Sequence, residues 1–215
     1  MTSSNYESDC LFCQVLSLPW KRLRWFDRPL AHVPGVGGVI AGLGAFVPGY
    51  VLVFPEQHME SVLQVPRDTA APFSDLLQRT VDAVRSTFGS PTLFEHGSCS
   101  RKDVRRSACL DHAHVHVLPG SYDLNAHVAD AVDDVSYLSD SEALGCSGYL
   151  FLKEPKAVPI YGPDPGISQF FRRHIARNLG MADAWDYLLF PRMENVSKTI
   201  SQLKEVLGST YPLAG

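Results

Sequence analysis

Three histidines occupy every second position of the stretch CLDHAHVHVLPG, residues 109–120. A spacing of two is the period of a β-strand, in which successive side chains point to opposite faces. His112, His114 and His116 therefore share one face of the predicted strand, and the apolar residues between them share the other. Packing alone does not explain three imidazoles in step, because buried polar groups need partners. The pattern predicts a strand with one face in the core and one face for chemistry.

Imidazole side chains on such a face have two chemical uses. They are ligands of zinc, and they act as nucleophiles beside phosphate-binding groups. The spacing by itself leaves both uses open. A single catalytic metal held by all three histidines is disfavoured, since the Cα atoms of the outer two are about 7 Å apart along a strand.

The composition limits the class of protein. A chain of 215 residues that is 45% hydrophobic can bury one sizeable core, so we expect a single domain with an extension. Its 19 basic and 23 acidic residues give a net charge of -4 without a basic stripe, which disfavours a polymeric nucleic acid as partner. Five cysteines, an odd number, favour thiols or metal ligands over a disulfide framework.

The N-terminal and low-charge segments bear on location. The start, MTSSNYESDC, has no basic segment followed by an apolar one, and the low-charge stretch 31–54 is interrupted by prolines and glycines. From this we expect a cytoplasmic protein without membrane attachment.

The predicted elements are grouped by type, which favours an α+β fold over regular βαβ alternation. Strands are predicted at 50–55 and 91–97, with a helix between them that begins at Pro72 and ends before Gly89. After residue 120 the pattern predicts, in order, a helical stretch near 124–135, strands at YLFL and AVPIY, helical structure from Ser168, and a last helix over 194–207.

Three segments, in order, resemble the histidine triad superfamily of nucleotide hydrolases and transferases. HAHVHVL fits its His-x-His-x-His pattern, VPGYVLVFPEQH (47–58) is similar to its Pro-Gly-His-x-Leu-Val-x-Pro-x-x-His strand, and CLFC (10–13) resembles its N-terminal Cys-x-x-Cys. Agreement of several motifs in order is more specific than one match. The resemblance implies a histidine triad fold, with an antiparallel sheet flanked by helices. It implies a core at 1–120 and a β/helical extension at 121–215 packed on that core as one domain.

The resemblance also implies a reaction. His114 would attack the α-phosphorus of a nucleotide or nucleotide conjugate and carry the nucleotidyl group as a phosphoramidate. His116 would donate to a non-bridging phosphate oxygen. The protein would then be a nucleotidyl hydrolase or transferase that cleaves a phosphoanhydride or phosphoester-type bond, and a homodimer is compatible with it.

In zinc-carrying relatives the Cys-x-x-Cys pair joins two histidines. The equivalent residues are Cys10, Cys13, His58 and His112. Four such ligands would form a closed tetrahedral site, which is structural because no position stays open for water. His112 would then bind the structural zinc ion, and His114 and His116 would act on the phosphate.

Three positions near the expected substrate site depart from the family pattern. Glu95 falls where many relatives have Asn or Gln near the phosphates, and a carboxylate there repels phosphate unless it is protonated or paired. Gly42 falls near the position at which many relatives hold the ribose with an acidic or amide side chain. Cys109 lies close to the position of the Ser or Thr that is usual in the triad loop, and both Glu95 and Cys109 are expected to contact the substrate.

Other predicted substrate contacts lie in the loop and the extension. Ser107 and the arginines of the loop 97–107 (Arg101, Arg105 and Arg106) are candidates for phosphate contacts, although such arginines are commonly solvated. Gln169, Arg172 and Arg173 in SQFFRRHIARNLG are expected to replace missing contacts if one face of their helix covers the phosphate site. A solvated helix face is the alternative.

Two other functions remain open from the sequence. A non-catalytic nucleotide sensor or zinc-stabilised interaction protein would bind without turnover, and a metallohydrolase would need its metal for catalysis.

Overall fold

The computed structural model describes residues 9–97, 112–129 and 148–210. The predicted contacts Ser107 and Cys109, and the arginines at 101, 105 and 106, lie outside the described residues. Within the described part of the chain, none of the helices is long and apolar enough to cross a membrane.

Seven strands in the described residues form one sheet. Their order across it is β1-β2-β3-β5-β4-β6-β7, and every neighbouring pair is antiparallel. The predicted α+β fold with an antiparallel sheet is therefore confirmed. The strands are β1 (Ala31–Val33), β2 (Gly37–Ala41), β3 (Val51–Pro55), β4 (Pro91–Gly97), β5 (Val115–Pro119), β6 (Tyr149–Lys153) and β7 (Ile160–Pro163).

Five α-helices accompany the sheet in the described residues. They are α1 (Leu11–Ser17), α2 (Arg67–Phe88), α3 (Asn125–Ala129), α4 (Phe170–Asn178) and α5 (Met193–Thr210). The longest of them, α2, lies against β2, β3, β4 and β5. All residues of β2 and β3 are buried, so the centre of the sheet is covered on both faces.

The predicted start of α2 is wrong by five residues. The helix begins at Arg67, with Pro72 inside it, because its first turn and a half is exposed and has no apolar periodicity to mark it. Its predicted end is correct: Gly89 has a φ of 98°, a conformation that favours glycine, and its N–H donates to the carbonyl of Arg85.

The β1–β2 hairpin was not predicted, because its glycine-rich sequence has no strand-like alternation. Glycine is required at residue 37, where a Cβ would lie 2.2 Å from the carbonyl oxygen of Phe54 on β3. The close approach lets β2 pair with β3 along its full length.

The residues after 120 continue the same sheet. β6 pairs with β4, and β7 pairs with β6. Hydrogen bonds also connect α5 to the segment before β3: the N–H of Gly49 donates to Oγ1 of Thr199 at 2.7 Å, and the Asn195 amide donates to the carbonyl of Ala45 at 2.8 Å. A division of the chain at residue 120 remains a prediction.

Candidate active site and metal centre

A cavity of about 250 Å³ opens on the histidine face of β5. His114 and His116 line it, whereas Val115 and Val117 are buried on the opposite face of the strand. His114 and His116 thus share a face as predicted, but β5 begins at Val115, so His112 and His114 precede the strand rather than lying on it. Phe94 and His96 of β4 line the same cavity, as do Gln169 and Arg172 from the extension.

The tautomer of His114 is fixed by its own backbone neighbour. Nδ1 lies 2.8 Å from the carbonyl oxygen of His112, and since a carbonyl only accepts, Nδ1–H is the donor. In the neutral ring, the lone pair is then on Nε2. Burial lowers the pKa of His114 to about 4, assisted by positive charge at His96 and opposed by the bond to His112. The ring is therefore neutral near pH 7.

His116 contacts two aromatic side chains. Its ring stacks on Phe94 with centroids 4.3 Å apart, and it is nearly parallel to the Tyr50 ring, with centroids 5.8 Å apart. The Tyr50 hydroxyl lies 2.5 Å from Nδ1. Burial, and after it the charges of His114 and Arg172, hold the pKa of His116 well below its usual value. The centroids of the His114 and His116 rings are 4.6 Å apart, so both can reach one phosphate group.

The four predicted zinc ligands lie together. One donor atom from each of Cys10, Cys13, His58 and His112 falls within 4.8 Å of all the others. Nδ1 of His112 is 3.4 Å from Sγ of Cys10 and 3.7 Å from Sγ of Cys13, and Nδ1 of His58 is 3.5 Å from Sγ of Cys13. Tetrahedral Zn–S and Zn–N bonds separate sulfur from nitrogen by about 3.5 Å. The donor set fits zinc, as the predicted structural zinc site requires.

The surroundings of His112 suit a ligand. Its Nε2–H donates to the carbonyl oxygen of Pro55 at 2.9 Å, which leaves the lone pair of Nδ1 for a metal ion. Among the described residues, the group of possible metal ligands contains His112 but neither His114 nor His116. This arrangement does not favour a single metal on all three histidines.

Phe12 connects the metal centre to the nucleophile candidate. It lies between the two cysteines in sequence, and its ring centroid is 5.3 Å from that of His112 and 5.2 Å from that of His114. It also packs on Phe54 at 4.3 Å. Phe12 therefore packs against both a residue of the metal centre and a residue of the cavity wall.

Of the three predicted contacts in the extension, the structure brings two to the cavity. Arg172 is 6% exposed, and its guanidinium donates to the carbonyls of Gly44 and Trp185, each at 2.9 Å. Oε1 of Gln169 is buried and has no hydrogen-bond partner among the described residues. Arg173 is not brought to the cavity lining; its Nε donates to the carbonyl of Ser168 and its guanidinium stacks on Trp185.

The structure does not bring Glu95 to the cavity. Glu95 alternates with Phe94 and His96 on β4, so its side chain points to the opposite face. There it is 2% exposed and accepts hydrogen bonds from the Tyr149 hydroxyl and, at 2.9 Å, from the N–H of Val62. Burial raises the pKa of Glu95 to about 7, although both hydrogen bonds act in the other direction.

Sequence reasoning missed several polar groups near the site. His96 lines the cavity and is paired with Asp164, with 2.8 Å between Nε2 and Oδ1. Asp27 also lines the cavity, is 7% exposed, and binds Nε of Arg24 at 2.5 Å. The facing of His96 follows from its parity with Phe94 once β4 is paired with β5, but the sequence gives no sign of that pairing.

The rest of the cavity wall is mainly apolar. It includes Leu11, Phe26, Ile40, Leu43, Leu52 and Leu188. Gly42, at the position near which a ribose contact was expected, offers no side chain. A ligand here would place an apolar or flat group against this wall and its charged group at the histidines.

Several solved structures are similar to this chain. A Hit-like protein involved in cell-cycle regulation from Bartonella henselae is 16% identical, over 53% of this chain and 77% of its own, with a TM-score of 0.40. A zinc-bound histidine triad family protein from Mycobacterium smegmatis is 19% identical, over 64% and 91%, with a TM-score of 0.38. A hypothetical histidine triad nucleotide-binding protein from Sulfolobus tokodaii is 15% identical, over 94% and 99%, with a TM-score of 0.40. No family model and no curated protein matches the chain.

Proposed function

We propose that the protein is a member of the histidine triad superfamily and acts as a nucleotidyl hydrolase or transferase in which His114 carries the nucleotidyl group. The observation that carries the proposal is the 2.8 Å hydrogen bond from Nδ1 of His114 to the carbonyl of His112. It directs the lone pair of the neutral imidazole to Nε2, on a ring that lines the cavity. An imidazole held in this way is a nucleophile for phosphorus.

The reaction has two steps. Nε2 of His114 attacks the α-phosphorus, the P–N bond forms, and the bond to the leaving group breaks. Water or another acceptor then attacks phosphorus, and the electrons of the P–N bond return to Nε2. When the Tyr50 hydroxyl donates to Nδ1 of His116, Nε2–H of His116 is available to a non-bridging oxygen of the phosphate.

Charge in the cavity suits an anionic substrate. Arg172 is buried and lines the cavity, and its charge lowers the pKa of His116, which supports a position close to the proposed phosphate site. Two backbone carbonyls fix its orientation. A preorganised cation in a buried site stabilises phosphate charge more than an exposed one does. The Oε1 of Gln169, which has no partner among the described residues, is an acceptor and suits a hydroxyl or N–H donor of the substrate rather than its phosphate.

The zinc ion, when bound by Cys10, Cys13, His58 and His112, supplies fold stability rather than a reacting group. All four of its positions are taken by protein side chains. Its ligands hold α1, the end of β3 and the segment before β5 together, and Phe12 packs against His114. A homodimer and a cytoplasmic location remain predictions.

The test is intact-protein mass spectrometry after incubation with a panel of nucleotides and nucleotide conjugates. The wild-type protein should gain an acid-labile nucleotidyl group. His114→Ala should remain folded, form no adduct and lose turnover by several orders of magnitude. His32→Ala is the matched control, since His32 pairs with Glu56 and does not line the cavity.

Three results would contradict the proposal. An adduct or near-normal turnover in folded His114→Ala would reject the nucleophile. Nucleotide binding without an adduct in the wild type would indicate a sensor. Loss of turnover on chelation, with the fold intact and activity regained on adding metal, would indicate a metallohydrolase.

A further inference from the structure

We infer that His96, oriented by Asp164, is the general acid that protonates the leaving group when His114 attacks. The inference rests on the proposed function, since it assigns a second catalytic residue to the same reaction. Three observations support it: His96 lies beside His114, His96 is paired with a carboxylate, and the ring nitrogens of His114 and His116 are already assigned to other contacts.

The strand register places His96 beside the nucleophile. β4 and β5 are antiparallel, and Phe94 is opposite His116. The recorded pairs end there, and the same register continued by two residues beyond the start of β5 would set His96 opposite His114. Directly opposite residues on one face have Cβ atoms about 4.5–5.5 Å apart. Both imidazoles line the cavity, so a group leaving from phosphorus at His114 departs within reach of His96.

Asp164 holds the ring of His96 in one orientation. Its Oδ1 lies 2.8 Å from Nε2 of His96, and because a carboxylate accepts, Nε2 carries a proton. The side chains are only 10% and 13% exposed. Oδ1 of Asp164 also accepts from the N–H of Gly166 at 2.8 Å. A Cβ at residue 148 would lie 2.7 Å from Oδ2, so glycine there leaves room for the carboxylate.

A carboxylate on one nitrogen orients an imidazole and compensates its positive charge during proton transfer. Because Nε2 is held by Asp164, we assign the transferred proton to Nδ1 of His96. Asp164 touches neither nucleophile nor substrate in this scheme, and acts as a positioning residue for His96.

Neither His114 nor His116 is available to protonate the leaving group. Nδ1–H of His114 is committed to the carbonyl of His112, and its Nε2 makes the bond to phosphorus. Nδ1 of His116 is committed to the Tyr50 hydroxyl, and its Nε2–H serves a non-bridging oxygen. A leaving oxygen thus needs another proton donor, and His96 is the remaining histidine in the cavity lining.

The proton balance closes over the two steps. As the P–N bond forms, the electrons of the P–O bond go to the leaving oxygen, which takes the proton from Nδ1 of His96. Neutral His96 then removes a proton from water as the water oxygen attacks phosphorus. Nε2 of His114 recovers its lone pair, and His96 ends the cycle protonated, as it began.

The experiment compares two esters of one nucleoside 5′-monophosphate. The 4-nitrophenyl ester has a leaving group that departs as a stable anion, whereas a primary alkyl ester needs protonation. Single-turnover formation of the adduct isolates the first step. His96→Gln should slow adduct formation from the alkyl ester by about 10²- to 10⁴-fold, and from the nitrophenyl ester by less than about tenfold.

A second signature comes from breakdown of the adduct. Because His96 also takes the proton of the attacking water, His96→Gln should accumulate the adduct from the nitrophenyl ester. Asp164→Asn should show the same selectivity between esters with a smaller loss, and it provides the test if His96→Gln does not fold. His32→Gln is the matched control and should behave as the wild type does.

The outcomes separate the two claims. If the wild type forms the adduct but His96→Gln and Asp164→Asn slow its formation equally from both esters, the role of His96 is overturned and the proposed function is not. No adduct from either ester in the wild type would overturn the proposed function and this inference with it.

Discussion

The ring of Tyr50 lies against the backbone of Gly42, where a Cβ would stand 2.3 Å from two ring carbons. The N–H of Gly42 also donates to the carbonyl of Tyr50 at 2.9 Å. Tyr50 in turn reaches Nδ1 of His116. Glycine at residue 42 therefore leaves the space that the Tyr50 ring needs to place its hydroxyl beside His116. A ribose-holding side chain of the kind that the family pattern has near this position would not fit beside this ring.

Gly42→Ala should destabilise the protein by about 1–3 kcal/mol, because the methyl group overlaps the Tyr50 ring and forces it to move. Urea unfolding measures the change. The same substitution in a Tyr50→Ala background should cost much less, since the overlapping ring is absent. An equal cost in both backgrounds would show that the contact with Tyr50 is not the cause.

Zinc content tests the metal centre. The purified protein should carry about one zinc ion per chain, and Cys13→Ala or His58→Ala should lose the metal and lower Tm. Elemental analysis and thermal unfolding give the two readouts. His32→Ala should keep both at wild-type values. Untagged protein purified without chelator that contains no stoichiometric metal would refute the site.

Glu95 should make stability depend on pH. The unfolded carboxyl loses its proton near its usual pKa of 4.5, whereas the buried one keeps it to about 7. Between these values the folded state binds more protons, so stability falls as pH rises. The fall amounts to about 3 kcal/mol, at about 1.4 kcal/mol per pH unit.

Glu95→Gln is the control, since its side chain does not titrate; its amide oxygen can accept from the N–H of Val62, and its NH₂ group can donate to the Tyr149 hydroxyl oxygen. Urea unfolding from about pH 4 to about pH 8 should show the stability of the wild type falling relative to the variant. If the stabilities of the wild type and the variant change in parallel with pH, the pKa of Glu95 is the same in the folded and unfolded states.

The local pattern predicted what depends on local geometry. The period of two fixed the shared face of His114 and His116, and the ordered motifs implied the four zinc ligands now found together. The facing of β4 could not be obtained in this way. A shift of one residue along a strand exchanges its faces, and the sequence does not show how β4 pairs with β5. His96, rather than Glu95, consequently faces the cavity.

The extension illustrates a second limit. The predicted face assumed that Gln169 belongs to the helix with Arg172 and Arg173. Gln169 instead precedes α4 in a left-handed conformation, with a φ of 55°. The helical phase relation between Gln169 and the arginines is then lost. The sequence could not separate the two arginines, because their surroundings depend on the distant Gly44 and Trp185.

The final prediction separates these two arginines. Arg172→Ala should raise KM for the nucleotide substrate more than about tenfold, because it removes a buried cation whose contact with phosphate is worth about 1.5–3 kcal/mol. It should also lower Tm, since the carbonyls of Gly44 and Trp185 lose their donor. Arg173→Ala, a matched change outside the cavity lining, should leave KM within about twofold. Steady-state kinetics with thermal unfolding measures both. An unchanged KM in Arg172→Ala, or a comparable rise in Arg173→Ala, would show that the cavity cation does not orient the phosphate.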